Sequence, residues 1–303
     1  MDSNFRSAFI AFVGRPNSGK STLMNTLLGE QLSIVTSLPQ TTRRNLKGIY
    51  TSENMQLVFV DTPGIHKGKH ALNESMLKEA SNVINEGIDL VCYIVDLSRD
   101  FGDEEASVAN MVKRSGNTVM IVFNKKDMCE NPVKKAEQFF ELFTDLNKSS
   151  FIIVSAIDKA SRTVFLQAVS PYVHEGPKYY DEESLTDESL RFFAAEYIRK
   201  QVILNTREEV PHAVFVEIES YKETEESHNV DATIHVETNG QRGIIVGKKG
   251  SVINKIRKAA EEELAELTGT KVKITCHVKV SPKWRDNESF LSRMGMLEKA
   301  KPK

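Results

Sequence analysis

The sequence predicts an α/β protein in two parts: a doubly wound sheet organised around a phosphate-binding loop, followed by a smaller α+β domain. Three observations carry this. Short apolar runs alternate with helical periodicity from Phe9 to Val154, as right-handed β-α-β crossovers require. The stretch Gly14-Arg15-Pro16-Asn17-Ser18-Gly19-Lys20-Ser21-Thr22 stands between an apolar run and a helical segment. Periodicity then lapses over residues 174–183 and resumes in a different order, α-β-β-α-(G-x-x-G)-α-β. A chain of 303 residues, 40% of them hydrophobic, suits two moderate domains with ordinary cores. The expected division is residues 1–174 for the first domain, 175–185 for a linker and 186–303 for the second domain with its tail.

Taken in order, Phe9 to Val13 reads as a short buried strand and Thr22 to Leu28 as a helix. Leu32 to Val35 leads into a polar, threonine-rich loop, Thr36 to Asn45. Leu46 to Tyr50 and Gln56 to Val60 read as strands, the second ending at Asp61-Thr62-Pro63-Gly64. Helical spacing follows over Leu72 to Asn85, Glu104 to Arg114 and Lys134 to Leu146. Between these lie strands Asp89 to Asp96, Thr118 to Phe123 and Phe151 to Val154. Beyond the linker, Thr186-Asp187 is expected to cap a helix running to about Asn205. Strands Ala213 to Ser220 and Val230 to Thr238 precede Arg242 to Val246, the loop Gly247-Lys248-Lys249-Gly250, a helix from Ser251 to about Leu267, and a last strand, Lys271 to Val280.

Cys92, Cys129 and Cys276 lie far apart without C-x-x-C spacing, so neither a disulfide framework nor a zinc site is indicated, and a reducing cytoplasm fits best. Met1 to Arg6 lacks the apolar core of a signal peptide, and no apolar run approaches bilayer length. The net charge of −2 conceals an asymmetry. Residues 241–283 hold ten Lys or Arg against four Glu, a local +6, which leaves the remainder at −8. A confined basic patch on an acidic chain points to a polyanion site.

The pattern G-x-x-x-x-G-K-[ST] between strand and helix aims backbone N–H groups and a helix N-terminus at one anion. Gly14 and Gly19 permit close approach, Asn17, Ser18 and Thr22 complete the cradle, Lys20 supplies charge to the outer phosphates and Ser21 offers a hydroxyl to magnesium. Such a loop alone fits ATPases, kinases and GTPases equally. Asp61 can hold magnesium through a water, and the Gly64 amide can face a terminal phosphate. In Asn124-Lys125-Lys126-Asp127, the Asp127 carboxylate can accept from both the N1–H and the exocyclic amine of guanine, donors that adenine lacks as a pair. Lys125 can lay its stem on the purine, and the Ala156 amide of Ser155-Ala156 can donate to the guanine carbonyl oxygen. GTP or GDP is therefore the expected ligand, with Mg2+.

These residues resemble the translation-factor-related GTPases and, with the second domain, the bacterial Era family over almost the full length. The resemblance rests on G-R-P-N-x-G-K-S-T at Gly14 to Thr22, P-Q-T-T-R at Pro39 to Arg43, Thr186-Asp187 with Arg191 to Glu196, Glu209-Val210-Pro211-His212, and Trp284 with Asp286 and Glu288. It implies that the polar loop is the first switch and that Thr42, with Thr41 the alternative, ligates magnesium. Where Ras-like GTPases carry a water-orienting glutamine, this chain has Ile65, so slow intrinsic turnover is expected. Catalysis is assigned to Lys20, Thr42, Gly64 and Asn17. The last matches a position used by potassium-dependent relatives, which implies either a K+ held there or a role in shaping the loop alone.

Gly247-Lys248-Lys249-Gly250 between two helices resembles the KH module of type II order, whose loop lets a nucleic-acid backbone approach. Ile245, with Ile244, Val246 and Ile253, is expected to line the base groove, and Lys255, Arg257 and Lys258 to extend the phosphate contact. Physical reasoning reaches single-stranded RNA. The Era resemblance implies the 3′ end of 16S ribosomal RNA and a role in small-subunit maturation, with peripheral association at the inner membrane as in some relatives. A cytoplasmic monomer without a DNA partner is expected. The competing expectation is a signalling GTPase whose second domain binds protein; Lys248-Lys249 discriminates the two.

Overall fold

The computed structural model describes residues 5–36, 42–65, 70–85 and 87–297. The chain forms two compact units, with the break along the sequence between Asp187 and Glu188.

The first unit is a sheet in the order β2-β3-β1-β4-β5-β6, made of β1 (Arg6–Val13), β2 (Leu46–Ser52), β3 (Met55–Asp61), β4 (Leu90–Asp96), β5 (Val119–Asn124) and β6 (Ser150–Ile153). β2 runs antiparallel to β3, and the other neighbours are parallel. The crossovers carry α1 (Lys20–Leu28), α2 (Ala71–Asn85), α3 (Asp103–Ser115), α4 (Pro132–Leu142) and α5 (Ala160–Val169). Parallel strands covered on both faces must be apolar throughout, and β4 is buried at every position. Alternate residues of β1 serve the two cores. Ala11 and Val13 join Tyr93, Val108 and Phe139 on the face covered by α2, α3 and α4. Phe12 packs with Phe59 and with Phe165 of α5 on the other. Phe139 meets Tyr93, Phe101, Phe123 and Phe140, so Phe139→Ala would cost about 3–5 kcal/mol.

Two sequence-based boundaries move. α4 starts at Pro132 because Asn131 accepts the Lys134 N–H, and it ends at Leu142 where Phe143 leaves helical geometry. The linker assigned to 175–185 is fastened to the first unit. β7 (His174–Glu175) pairs antiparallel with the start of β1, the buried Gln56 accepts from the Tyr179 and Tyr180 N–H groups, and the Ile49 N–H donates to the Leu185 carbonyl.

The second unit holds α6 (Leu190–Asn205), β8 (Phe215–Glu223), β9 (Ser227–Val236), α7 (Asn239–Val246), α8 (Ser251–Thr268), β10 (Lys271–Val280) and α9 (Glu288–Arg293). Its sheet order is β10-β9-β8, with β9 antiparallel to β8 and parallel to β10. Ser189, not Thr186-Asp187, caps α6, its side chain accepting the Phe192 N–H. Asp187 is drawn instead to the Lys47 ammonium at 2.7 Å. Among the described residues, no helix is long and apolar enough to cross a membrane.

Candidate functional site

The phosphate loop joins the buried end of β1 to the first turn of α1, and its glycines are fixed by space. A Cβ at Gly14 would lie 2.4 Å from the Ile94 carbonyl oxygen. At Gly19, whose φ is +96°, it would lie 2.2 Å from Asn124 Nδ2. Asn17 also takes the left-handed region, at φ 61°. The loop, with Lys20, Ser21, Thr22, Thr42, Gly64 and Lys125, borders a cleft of about 320 Å³.

Lys20 is buried, and its ammonium donates to the Gly14 and Arg15 carbonyl oxygens at 3.2 and 3.0 Å. Burial brings its pKa down to about 8 against the pull of Asp61 and Glu105, leaving a cation short of anionic partners beside an open cleft. Ser18 N–H donates to the Arg15 carbonyl, and the Ser18 carbonyl accepts from Asn124 Nδ2 at 2.8 Å.

The three predicted metal ligands converge. Ser21 Oγ donates to Asp61 Oδ2 at 2.6 Å, Thr42 Oγ1 reaches the same oxygen at 3.3 Å, and the two hydroxyls lie 2.9 Å apart. Ser33 Oγ, which the sequence did not single out, also donates to Oδ2. Asp61 is fully buried and its Oδ1 lacks a hydrogen bond. Desolvation pushes this carboxyl upward, and Lys20 and the hydroxyls pull it back. A hard-oxygen set with one orphaned carboxylate oxygen suits magnesium. Thr41, the alternative ligand, lies outside the described residues.

Gly64 rests against the loop: a Cβ there would stand 2.7 Å from Pro16 Cα. The next N–H, that of Ile65, donates to the Gly14 carbonyl at 3.1 Å, while the Ile65 side chain is buried in the core. No hydrogen-bonding side chain therefore faces the cleft from that position.

At the ends of β5 and β6, Asn124 is buried and Lys125 adopts φ 62°. The Lys125 ammonium is held by Asp96 Oδ2 at 2.7 Å, and the Ser155 hydroxyl donates to Asp127. Asp96 was missed as a site residue, although its place at the end of β4 mirrors that of Asp61 on β3. The Ala156 N–H, expected to face a base, here donates to Asn124 Oδ1 at 2.8 Å, so donation to a ligand requires exchange of that bond.

In the second unit, α7 opens with a capping box between Thr238 and Gln241 and ends at Gly247, φ 71°. Lys249 and Gly250 follow at φ 51° and 78°, turning the chain into α8. A Cβ at Gly247 would meet Val252 Cγ2 at 2.5 Å. Lys248, Lys249, Lys255 and Lys258 are exposed. Arg257 is part-exposed and pairs with Glu261 one turn along α8, and Glu261 in turn accepts the Ile274 N–H of β10. Ile245 is fully buried in the core and does not line a surface groove; its neighbour Ile244, 49% exposed, is on the surface. Consecutive helical residues point about 100° apart, and the core takes one of the two.

The family described as "50S ribosome-binding GTPase" matches residues 9–125, and the KH domain matches residues 209–285. The chain is 37% identical to GTPase Era of Ruminiclostridium cellulolyticum over 294 residues, 96% of this chain and 98% of that one. It is 39% identical to GTPase Era of Clostridium botulinum strain Langeland over 293 residues, with the same shares. Among solved structures, it is similar to a variant of Aquifex aeolicus Era bound to GDP and AlF4−, with a TM-score of 0.91, 30% identity and coverage of 97% of this chain and 100% of that one. It is equally similar to Era in complex with MgGDPNP and nucleotides 1506–1542 of 16S ribosomal RNA, with a TM-score of 0.91, 30% identity and coverage of 97% and 99%.

Proposed function

Since this chain belongs to the GTPase Era family, we propose that it is a guanine-nucleotide switch that binds single-stranded ribosomal RNA through its second domain and assists maturation of the small ribosomal subunit. It is a GTPase, built on a phosphate-loop fold followed by a KH domain. One observation supports the nucleotide chemistry above others: a buried ammonium, a carboxylate ringed by hydroxyls and the Asn124–Asp127 loop converge at the carboxyl ends of the strands.

In this reading, the loop N–H groups and the α1 N-terminus cradle the phosphates, and Lys20 exchanges its two carbonyl partners for phosphate oxygens. Ser21, Thr42 and Asp61 hold magnesium, which supplies charge neutralisation at the outer phosphates. Asp127, steadied by Ser155, selects guanine, and Lys125, anchored by Asp96, covers the purine. Gly64 and Thr42 sense the terminal phosphate, so its loss releases both segments. With Ile65 turned into the core, hydrolysis is slow, and Asn17 holds a potassium ion that offsets phosphate charge.

The nucleic-acid half rests on the Gly247–Gly250 loop, where positive φ values and two exposed lysines suit a phosphodiester backbone. The Era structure that contains nucleotides 1506–1542 of 16S ribosomal RNA supports the 3′ end as the target. A cytoplasmic location is a further part of this reading. Crosslinking the GTP- and GDP-loaded protein to total cellular RNA and sequencing the recovered fragments tests this. Enrichment of the 16S 3′ end, in different amounts for the two states, is expected. Recovery no better than background would favour a GTPase whose second domain binds protein.

A further inference from the structure

Arg15 sits in the phosphate loop yet turns away from the cleft. Its side chain is 3% exposed, its Nε lies 2.6 Å from Glu105 Oε2, and its Nη1 donates to the Asp100 carbonyl. Glu105, in the first turn of α3, is fully buried and accepts a hydrogen bond from the Tyr93 hydroxyl of β4. A second arginine of the same region, Arg99, donates to the Pro16 carbonyl at 3.2 Å. The carbonyls of Gly14 and Arg15 take the Lys20 ammonium, and that of Gly14 also takes the Ile65 N–H. Three successive loop carbonyls are thus engaged, and the loop is gripped from behind by α3.

A buried ion pair is a costly way to hold a fold together, and well-packed apolar residues of similar volume often serve stability as well or better. What the pair gives that apolar packing does not is an anchor: with the guanidinium held between Glu105 and the Asp100 carbonyl, the Gly14–Pro16 backbone that carries it has less freedom to reorient. The orientation of that backbone sets where the loop N–H groups point. We propose that Arg15, Glu105 and Tyr93 form a positioning network that fixes the phosphate loop for nucleotide binding, with Arg15 itself making no contact with the nucleotide. The proposal rests on the nucleotide reading above, and guanine-nucleotide binding by the unaltered protein is its control.

The test uses the full chain with Glu105→Gln, Arg15→Lys and the apolar pair Arg15→Met/Glu105→Met. Thermal unfolding without nucleotide, GDP release, and KM and kcat for GTP are measured on each. A loop misaligned by about 1 Å can lose on the order of 100-fold. Each variant is expected to raise KM and the GDP release rate by about tenfold or more, with kcat changed less than about threefold. The apolar pair is expected to do so while unfolding at or above the temperature of the unaltered protein. A merely structural role lowers the folded fraction, and so the apparent kcat, and leaves KM alone. Unaltered KM and GDP release in the apolar pair, folded and stable, would overturn the proposal. If that pair does not fold, the same unaltered values in Glu105→Gln would overturn it.

Discussion

Ser21 Oγ donates to Asp61 Oδ2 at 2.6 Å, so a hydroxyl from α1 and a carboxylate from the end of β3 already touch, 40 residues apart in sequence. Thr42 completes the set. Asp61→Asn keeps the shape and removes the charge. It is expected to raise the magnesium concentration needed for half-maximal GTP hydrolysis by about 10- to 100-fold. A magnesium titration of steady-state hydrolysis checks this, and an unmoved midpoint would remove Asp61 from the metal set.

Lys20 has a pKa of about 8 in the unliganded chain, below the ordinary 10.5, because it is buried. Between those values the unfolded chain carries the extra proton, so the stability of the unliganded protein rises with pH across that window. Phosphate against the ammonium restores the proton, and GDP binding at pH 8.5 is expected to take up roughly half a proton or more. Calorimetry in two buffers of different ionisation enthalpy reads this directly. Binding enthalpies that do not depend on the buffer would mean that Lys20 does not face the phosphates.

Asp127→Asn replaces an acceptor-only group by one that presents a donor, so guanine loses its two-point partner while xanthine, with a carbonyl in place of the amine, gains one. GTP affinity is expected to fall by about 100-fold or more, with XTP preferred. Competition between the two nucleotides on the variant decides it. Ser155→Ala, which frees the Asp127 carboxylate, should weaken GTP by a smaller factor, about 5- to 15-fold, the cost of one lost hydrogen bond.

Hydrolysis in potassium and in sodium tests Asn17. Faster turnover in potassium, abolished by Asn17→Ala without loss of GDP affinity, is the expected outcome. Equal rates in the two salts would leave Asn17 with the shape of the loop alone.

What could be read without the structure was what local chemistry dictates. Gly14, Gly19 and Gly247 are required by contacts under 3 Å with neighbouring atoms, and only glycine meets that requirement, so the motif carries its own geometry. The fold followed from strands such as β4, which is buried at every position and apolar up to Asp96 at its end. Partners distant in sequence did not show. Glu105 stands 90 residues from Arg15, and Asp96 holds Lys125 across neighbouring strand ends. The α6 cap was misplaced for a similar reason: Thr186, Asp187 and Ser189 are all capping types, and the distant Lys47 that engages Asp187 is not visible in the local sequence. In α7, eight residues are too few for periodicity to say whether Ile244 or Ile245 faces the core.

The most direct measurement of the central claim, that a guanine-nucleotide site governs an RNA-binding loop, is a titration of labelled RNA carrying the 16S 3′ end with GDPNP-loaded and GDP-loaded protein over a range of salt. The two states are expected to give different Kd values. The Lys248→Ser/Lys249→Ser variant should bind more weakly in both states, with a log–log salt slope shallower by about 1.4, the share of two phosphate contacts on a single strand. One Kd common to both nucleotide states, or an unchanged slope in the variant, would contradict the account.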